Sequence, residues 1–164
     1  MSPDYASIDV AARAEQAVTY FKSGYNCAQA VYMAYANLFG MDTKTAAVIA
    51  APMGAGIGRM REVCGTVSGA ALIAGLAIPC DNPDDMTSKT RCYALVQQVA
   101  ERFRLENGSI ICRELLGMRQ GADKPEPSER TPQYYRTRPC AALVGYSARI
   151  LAEYLENPDL FDEK

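Results

Sequence analysis

The segment from Cys64 to Ile78 is apolar on almost every side of a helical wheel. A surface helix carries a single apolar stripe, whereas a helix that is apolar all round belongs inside a bundle. Three glycines, Gly65, Gly69 and Gly75, leave room on this helix for close neighbours. We therefore predict a central apolar helix here, with the other helices packed around it.

Apolar residues recur at helical spacing through most of the remaining chain. Asparagine, aspartate or serine precedes several of these stretches, and glycine or proline follows them, which predicts six further helices. They run over about 9–22, 26–39, 42–51, 85–105, 109–116 and from 139 onward. The chain contains no alternating run of β-branched residues, the pattern that predicts a strand. The expected fold is all-α, a single-domain bundle of about six or seven helices over residues 1–164.

Residues 118–138 form a polar, proline-containing connection, longer than the roughly 12–15 residues usual for an unstructured loop. We interpret it either as a plain surface loop or as a cover over a functional site. The last residues, 157–164, are expected to fray.

Charge and composition exclude several classes of function. The 164 residues carry a formal net charge of -2 and dispersed arginines, so no basic stripe predicts nucleic-acid binding. The N-terminus lacks a basic, apolar leader and no apolar run could span a bilayer, which predicts a cytoplasmic protein with no membrane span. The chain has no histidine. This absence excludes Ser-His-Asp and Cys-His catalysis and mixed Cys/His zinc sites.

Most of the cysteines fall near the predicted start of a helix. Helix N-termini carry unpaired N–H groups and a partial positive charge, which favour a thiolate. In a reducing cytosol, cysteines are more often catalytic or metal-binding than part of a disulfide framework. We predict that four thiols converge on one site, and that the other two cysteines are small core residues. The four are Cys27, Cys64, Cys112 and Cys140, and the other two are Cys80 and Cys92.

The turn before Cys64 is rich in glycine and contains two arginines. Its sequence, GAGIGRMR, fits neither GxGxxG nor the phosphate-loop pattern GxxxxGK followed by Ser or Thr, so no nucleotide site is predicted. Its N–H groups could instead hydrogen-bond a thiolate. Its arginines, like those beside Cys112 and Cys140, could stabilise thiolates or receive an anionic substrate. Alternatively, these arginines and those beside the other cysteines are solvated surface groups. The candidate anion-binding residues of the turn are Gly56, Gly58, Arg59 and Arg61, and the other arginines are Arg113, Arg136 and Arg138.

Four segments carry a resemblance to a known family. They are GYNCAQAV, GAGIGRMREVCGTVSGA, CRELLG and RPC, which follow in this order between about residues 12 and 155. This order resembles the four-cysteine C_GCAxxG_C_C family of redox-active proteins. The resemblance implies a helical redox protein whose functional cysteines are Cys27, Cys64, Cys112 and Cys140. The family is also similar to the C-terminal part of split-Soret-type cytochromes, which suggests an iron–sulfur cluster. Thr66 departs from the alanine usual in the motif, and its hydroxyl could adjust the site.

The sequence leaves three functions open. In the first, two of the four cysteines exchange a disulfide or transfer electrons, as in a thiol-dependent oxidoreductase. In the second, the four thiolates ligate an iron–sulfur cluster or zinc. In the third, the chain is a non-catalytic helical binding or scaffold protein. The sequence specifies neither the redox partner or small-molecule substrate nor whether the chain forms a homo-oligomer.

Overall fold

Eight α-helices make up most of the part of the chain that the structure, a computed structural model, describes: residues 3–119, 121–157 and 159. They are α1 (Val10–Lys22), α2 (Cys27–Ala36), α3 (Thr43–Ala50), α4 (Gly65–Ala77), α5 (Met86–Asn107), α6 (Cys112–Leu115), α7 (Pro132–Thr137) and α8 (Cys140–Glu156). The predicted all-α fold is confirmed. Seven of these helices lie where the sequence predicts them, to within a few residues.

Side-chain caps explain where several helices begin. The carboxylates of Asp9, Asp42 and Asp85 accept hydrogen bonds from the first turns of α1, α3 and α5. Asn26 and Gln29 form a complete capping box at the start of α2. No side-chain cap precedes α4, α6 or α8 among the described residues. These three helices each begin at or next to a cysteine.

The core lies between α2, α4 and α8, which contact one another. α1 packs along α8, and α5 packs against α4 and α8. α2 and α4 approach closely at Gly69, where a Cβ atom would lie 2.7 Å from the carbonyl oxygen of Ala28. Residues 30–36 of α2 are all buried, whereas α4 has an exposed position at Gly75. The prediction of one central helix at α4 is not confirmed, because α2 is more completely enclosed.

The described part of the segment 118–138 contains a helix, α7, that its composition does not predict. Thr131 caps this helix by accepting a hydrogen bond from the Tyr134 N–H, and Pro132 occupies its first turn. The Thr-Pro pair is the sequence signal for an eighth helix. Most of the predicted frayed tail, 158 and 160–164, lies outside the described residues. In the described ranges, no helix is both long and apolar enough to cross a membrane.

Candidate functional site

Four cysteines from four different helix starts line one cavity of about 380 Å³. Cys27, Cys112 and Cys140 are the first residues of α2, α6 and α8, and Cys64 is the residue immediately before α4. Cys64 and Cys112 are buried, and Cys27 and Cys140 are half-buried. All four are free thiols in the structure. The structure therefore brings together the four thiols that the sequence analysis singled out.

A short antiparallel contact fixes Cys64 beside Cys112. Val63 and Ile111 form an isolated β-bridge. Cys64 N–H donates to the carbonyl oxygen of Ile110 at 2.7 Å, and Cys112 N–H donates to that of Glu62 at 2.6 Å. Each cysteine follows a bridged residue, so the bridge holds the starts of α4 and α6 side by side. The two segments are far apart in the chain and too short to show a strand pattern, so the sequence analysis missed this pairing.

The glycine-rich turn is a run of five residues, 55–59, that all have positive φ angles. Ile57, with φ of 63°, is β-branched, and such a residue is rarely found in this region. The left-handed conformation costs about 1–2 kcal/mol for each non-glycine residue. The backbone N–H of Ala55 in this turn lowers the pKa of the Cys27 thiol and so opposes part of the rise caused by burial. Backbone strain of this kind tends to collect at functional sites, where surrounding contacts hold it in place.

Arg61 is the buried cation of the site, with 2% of its surface exposed. Its Nη1 donates to Cys112 Sγ at 3.7 Å. Its Nη2 and Nε both donate to Asp123 Oδ2, at 2.8 and 3.2 Å. Arg61 therefore links a cavity thiol to the 118–138 segment.

Arg59 provides a second link between the turn and this segment. It donates to Asp123 Oδ2 at 3.1 Å, to the Lys124 carbonyl oxygen at 2.6 Å and to Ser128 Oγ at 3.3 Å. The Arg61 hydrogen bond is the main cause that lowers the pKa of the Asp123 carboxyl, and the charge of Arg59 adds to it. The arginines thus hold residues 123–128 against the mouth of the cavity.

Burial is the largest influence on three of the thiols. It raises the pKa of Cys27 and of Cys64 above the ordinary value, and raises the pKa of Cys140 to about 11. The charges of the neighbouring thiols raise all three further. The Thr66 hydroxyl lies 3.2 Å from Cys64 Sγ and partly offsets the rise in the pKa of Cys64. At neutral pH these three groups are neutral thiols.

Charge on Cys27 or Cys112 raises the pKa of the neighbouring cavity thiols. Each of them interacts electrostatically with the other and with both Cys64 and Cys140.

A family model described as "Putative redox-active protein (C_GCAxxG_C_C)" matches residues 25–154, which include all four cavity cysteines. The chain belongs to this family. No curated protein and no solved structure matched the chain.

The remaining predicted residues of this C_GCAxxG_C_C protein divide into two groups. Arg59, Arg61 and Gly58 line the cavity. Gly56 is not among the lining residues, and its anion-binding role stays a prediction. It packs against backbone instead, and a Cβ atom there would lie 2.6 Å from the Glu62 nitrogen. Its role is to let the turn fold back on the chain.

Several lining residues were not predicted as site residues. Arg130, Tyr134 and Arg138 come from the 118–138 segment, and Arg138 lies two residues before Cys140, where α8 begins. The sequence suggested for Arg138, beside Cys140, only that it could stabilise a thiolate or receive an anionic substrate, or else be a solvated surface group. The Tyr-Tyr-Arg-Thr-Arg run of α7 is the signal that could have indicated this wall of the cavity, because aromatic rings stack on guanidinium groups.

Cys80 and Cys92 lie outside the cavity and contact each other. Cys92 is buried on α5, and Cys80 Sγ donates to the Ile78 carbonyl oxygen at 3.2 Å. Burial and the neighbouring Cys80 raise the pKa of Cys92. These residues pack against the core, as expected, but as a pair rather than separately.

The cavity cysteines fit the two predicted kinds of metal site differently. Within the described ranges, no three His, Cys, Asp or Glu side chains are arranged to hold one metal ion. Zinc requires four ligands within about 2.3 Å of a single ion, so this arrangement does not fit the zinc alternative. An iron–sulfur cluster distributes its cysteine ligands over several irons, and four thiols around one cavity match its donor type and number.

Proposed function

We propose that this C_GCAxxG_C_C protein carries out thiol–disulfide exchange with the four cysteines of the cavity. The observation that carries the proposal is the arrangement of Cys27, Cys64, Cys112 and Cys140 around one space, as free thiols. Exchange needs two thiols that can reach each other and a site where a small disulfide can meet them. A reducing compartment such as the cytoplasm would keep the resting protein in this thiol form.

Cys112 is the attacking thiol in this proposal. It accepts a hydrogen bond from the buried Arg61 guanidinium, and a cationic donor stabilises negative charge on sulfur. The Cys112 thiolate attacks one sulfur of a disulfide, R–S–S–R, and forms a Cys112–S–S–R mixed disulfide. The other half leaves as a thiolate, RS⁻, and takes up a proton.

Cys27 resolves the mixed disulfide. Its thiol loses a proton and attacks Cys112 Sγ, which breaks the bond to the second R–S group and forms a Cys27–Cys112 disulfide. In total, two protein thiols are oxidised and one substrate disulfide is reduced to two thiols.

A thiol count tests the proposal. The Cys80→Ser/Cys92→Ser double variant retains only the four cavity cysteines and removes the neighbouring pair as a source of ambiguity. We expect incubation with 2-hydroxyethyl disulfide to lower its free thiols from four to two and to release two equivalents of 2-mercaptoethanol. Reduction should restore all four. Four unchanged thiols, or loss of thiols without release of 2-mercaptoethanol, would contradict exchange.

An iron–sulfur cluster on the same four cysteines is the second candidate. It is favoured by the number of thiols around the cavity and by the buried Arg61, whose charge would offset that of a cluster. Such a cluster, when bound, would supply one-electron transfer. The double variant purified without oxygen distinguishes the two candidates. About four irons or two irons per chain with visible absorption supports the cluster, and a colourless, iron-free protein that exchanges disulfides supports the first proposal.

A further inference from the structure

Among the described residues, four arginines and no acidic residue line the cavity. The arginines are Arg59, Arg61, Arg130 and Arg138. Within the described residues, Asp123 is the only acid that forms an ion pair with any of these arginines, and it pairs with Arg59 and Arg61. One carboxylate therefore faces four guanidinium groups, and the cavity keeps an excess of positive charge.

Arg130 is held by the protein itself. It donates to the carbonyl oxygens of Phe21 and Tyr25, at 3.3 and 3.1 Å. Its guanidinium also lies over the rings of Phe21 and Tyr134, 4.5 and 4.8 Å from their centroids. The charge of Arg130 contributes to the electrostatic field in the cavity, but its hydrogen-bond donors are already engaged by these carbonyl oxygens.

Arg138 differs from the other three arginines. Its guanidinium lies 4.8 Å from the centroid of the Tyr134 ring, which orients it at the cavity wall. In the described part of the chain no ion pair or hydrogen bond engages its donors, and the charge of Asp123 reaches it only at longer range. It precedes Cys140 by two residues and is half-buried. A planar guanidinium with free donors beside a thiol site is suited to a carboxylate.

We propose that the substrate of the cavity is a small disulfide that carries carboxylate groups, and that Arg138 binds one of these carboxylates. This inference rests on the proposed disulfide exchange and names the class of disulfide. The volume of about 380 Å³ is that of a small-molecule site. Arg138 positions the substrate so that its S–S bond meets Cys112, with the same exchange of bonds as described above.

Three aliphatic disulfides of similar size test the charge preference: 3,3′-dithiodipropionate, which is a dianion, 2-hydroxyethyl disulfide, which is neutral, and cystamine, which is a dication. Each rate with the Cys80→Ser/Cys92→Ser protein is divided by the rate of the same disulfide with 2-mercaptoethanol, a neutral thiol. We expect the normalised rates to fall in the order dianion, neutral, dication. Added salt should reduce the differences between the three normalised rates, because it screens the charges.

Arg138→Gln in the same background should lower the ratio of dianion to neutral rates about tenfold, the equivalent of one charge-assisted hydrogen bond. Arg138→Lys should restore part of the ratio. Arg136→Gln is the matched control, because Arg136 is exposed, bonds Gln133 and does not line the cavity. Equal normalised rates for the three disulfides, or equal ratios in the two glutamine variants, would overturn the inference and leave the proposed exchange standing. No reaction with any disulfide would overturn both.

Discussion

The sulfur of Cys27 occupies the space in which a side chain at Gly65 would begin. A Cβ atom built on Gly65 would lie 2.4 Å from Cys27 Sγ, far inside van der Waals contact. Gly65 follows Cys64 directly, so its missing side chain lets the start of α2 and the start of α4 meet at the cavity. The glycine is thus part of what brings two cysteines together.

Gly65→Ala is expected to lower the free energy of unfolding by roughly 1–3 kcal/mol, because the added methyl displaces Cys27 Sγ from a packed position. It should also slow disulfide exchange. Gly75→Ala is the matched control on the same helix, since no atom lies within 4 Å of a Cβ atom there. That change should raise the free energy of unfolding by roughly 0.4–1 kcal/mol. Urea unfolding measures both, and a stabilised Gly65→Ala variant would contradict the packing described.

Alanine variants of Gly56 and Gly58 distinguish the cost of backbone strain from the cost of a steric clash in the left-handed turn. Both have positive φ angles, but only Gly56 has backbone atoms where a Cβ atom would lie. We expect Gly58→Ala to lower the free energy of unfolding by about 1–2 kcal/mol, and Gly56→Ala by roughly 2–5 kcal/mol. Denaturant unfolding of the two variants provides the comparison. Equal losses would show that the turn can move away from residues 61 and 62.

Thr66 gives the motif of this chain a hydroxyl beside Cys64. Because that hydroxyl partly offsets the raised pKa of the Cys64 thiol, Thr66→Ala should raise the pKa of Cys64 further. Iodoacetamide alkylation of Cys64, followed by mass spectrometry between pH 7 and 10, should become several-fold slower at each pH. Thr66→Ser keeps the hydroxyl and should retain the wild-type rate. If the serine and alanine variants alkylate alike, the hydroxyl has no part in the behaviour of Cys64.

Asp123 fastens residues 123–128 over the cavity through Arg59 and Arg61. Its pKa is lowered in the folded protein, so this fastening is complete above the ordinary aspartate pKa of about 3.9 and is lost as the pH falls through the lowered value. At pH 7, Asp123→Asn should therefore make the cavity thiols react several-fold faster with 4,4′-dithiodipyridine. The ratio of variant to wild-type rates should return toward one as the pH falls below about 4.

The control for Asp123→Asn is Glu126→Gln. Glu126 is an exposed acid in the same segment, and no ion pair or hydrogen bond engages it in the described part of the chain. Its substitution should leave the rate unchanged at every pH. A ratio of one for Asp123→Asn at pH 7 would show that the segment does not restrict access.

The parts of the fold set by neighbouring residues could be predicted from sequence. Asn26 and Asp85 cap their helices through groups three residues away, so local spacing reveals them. The cysteine positions at helix starts follow from the same local signals. The pairing of Val63 with Ile111 could not be predicted in this way. The two residues form one isolated bridge, and neither belongs to an alternating pattern that would indicate a strand.

The electrostatics of the site could not be predicted from the sequence either. Arg61 meets Asp123 across an intervening stretch of three helices, and nothing in the sequence around either residue specifies the other. Burial, which the sequence does not reveal directly, likewise decides the protonation state of the thiols. Position at a helix start predicts a lowered thiol pKa, but burial and the other thiols dominate and raise the pKa of Cys27, Cys64 and Cys140.

The most direct measurement is a disulfide map of the oxidised protein, obtained by peptide mass spectrometry after acid quenching. In the Cys80→Ser/Cys92→Ser variant oxidised with a small disulfide, we predict a bond between Cys27 and Cys112. In single variants of the wild-type chain, Cys112→Ser should abolish oxidation of the cavity cysteines, and Cys92→Ser should leave it intact. Four unmodified cavity cysteines after oxidation, or a map in which Cys112 remains free, would contradict the assignment of this cavity as a thiol–disulfide exchange site.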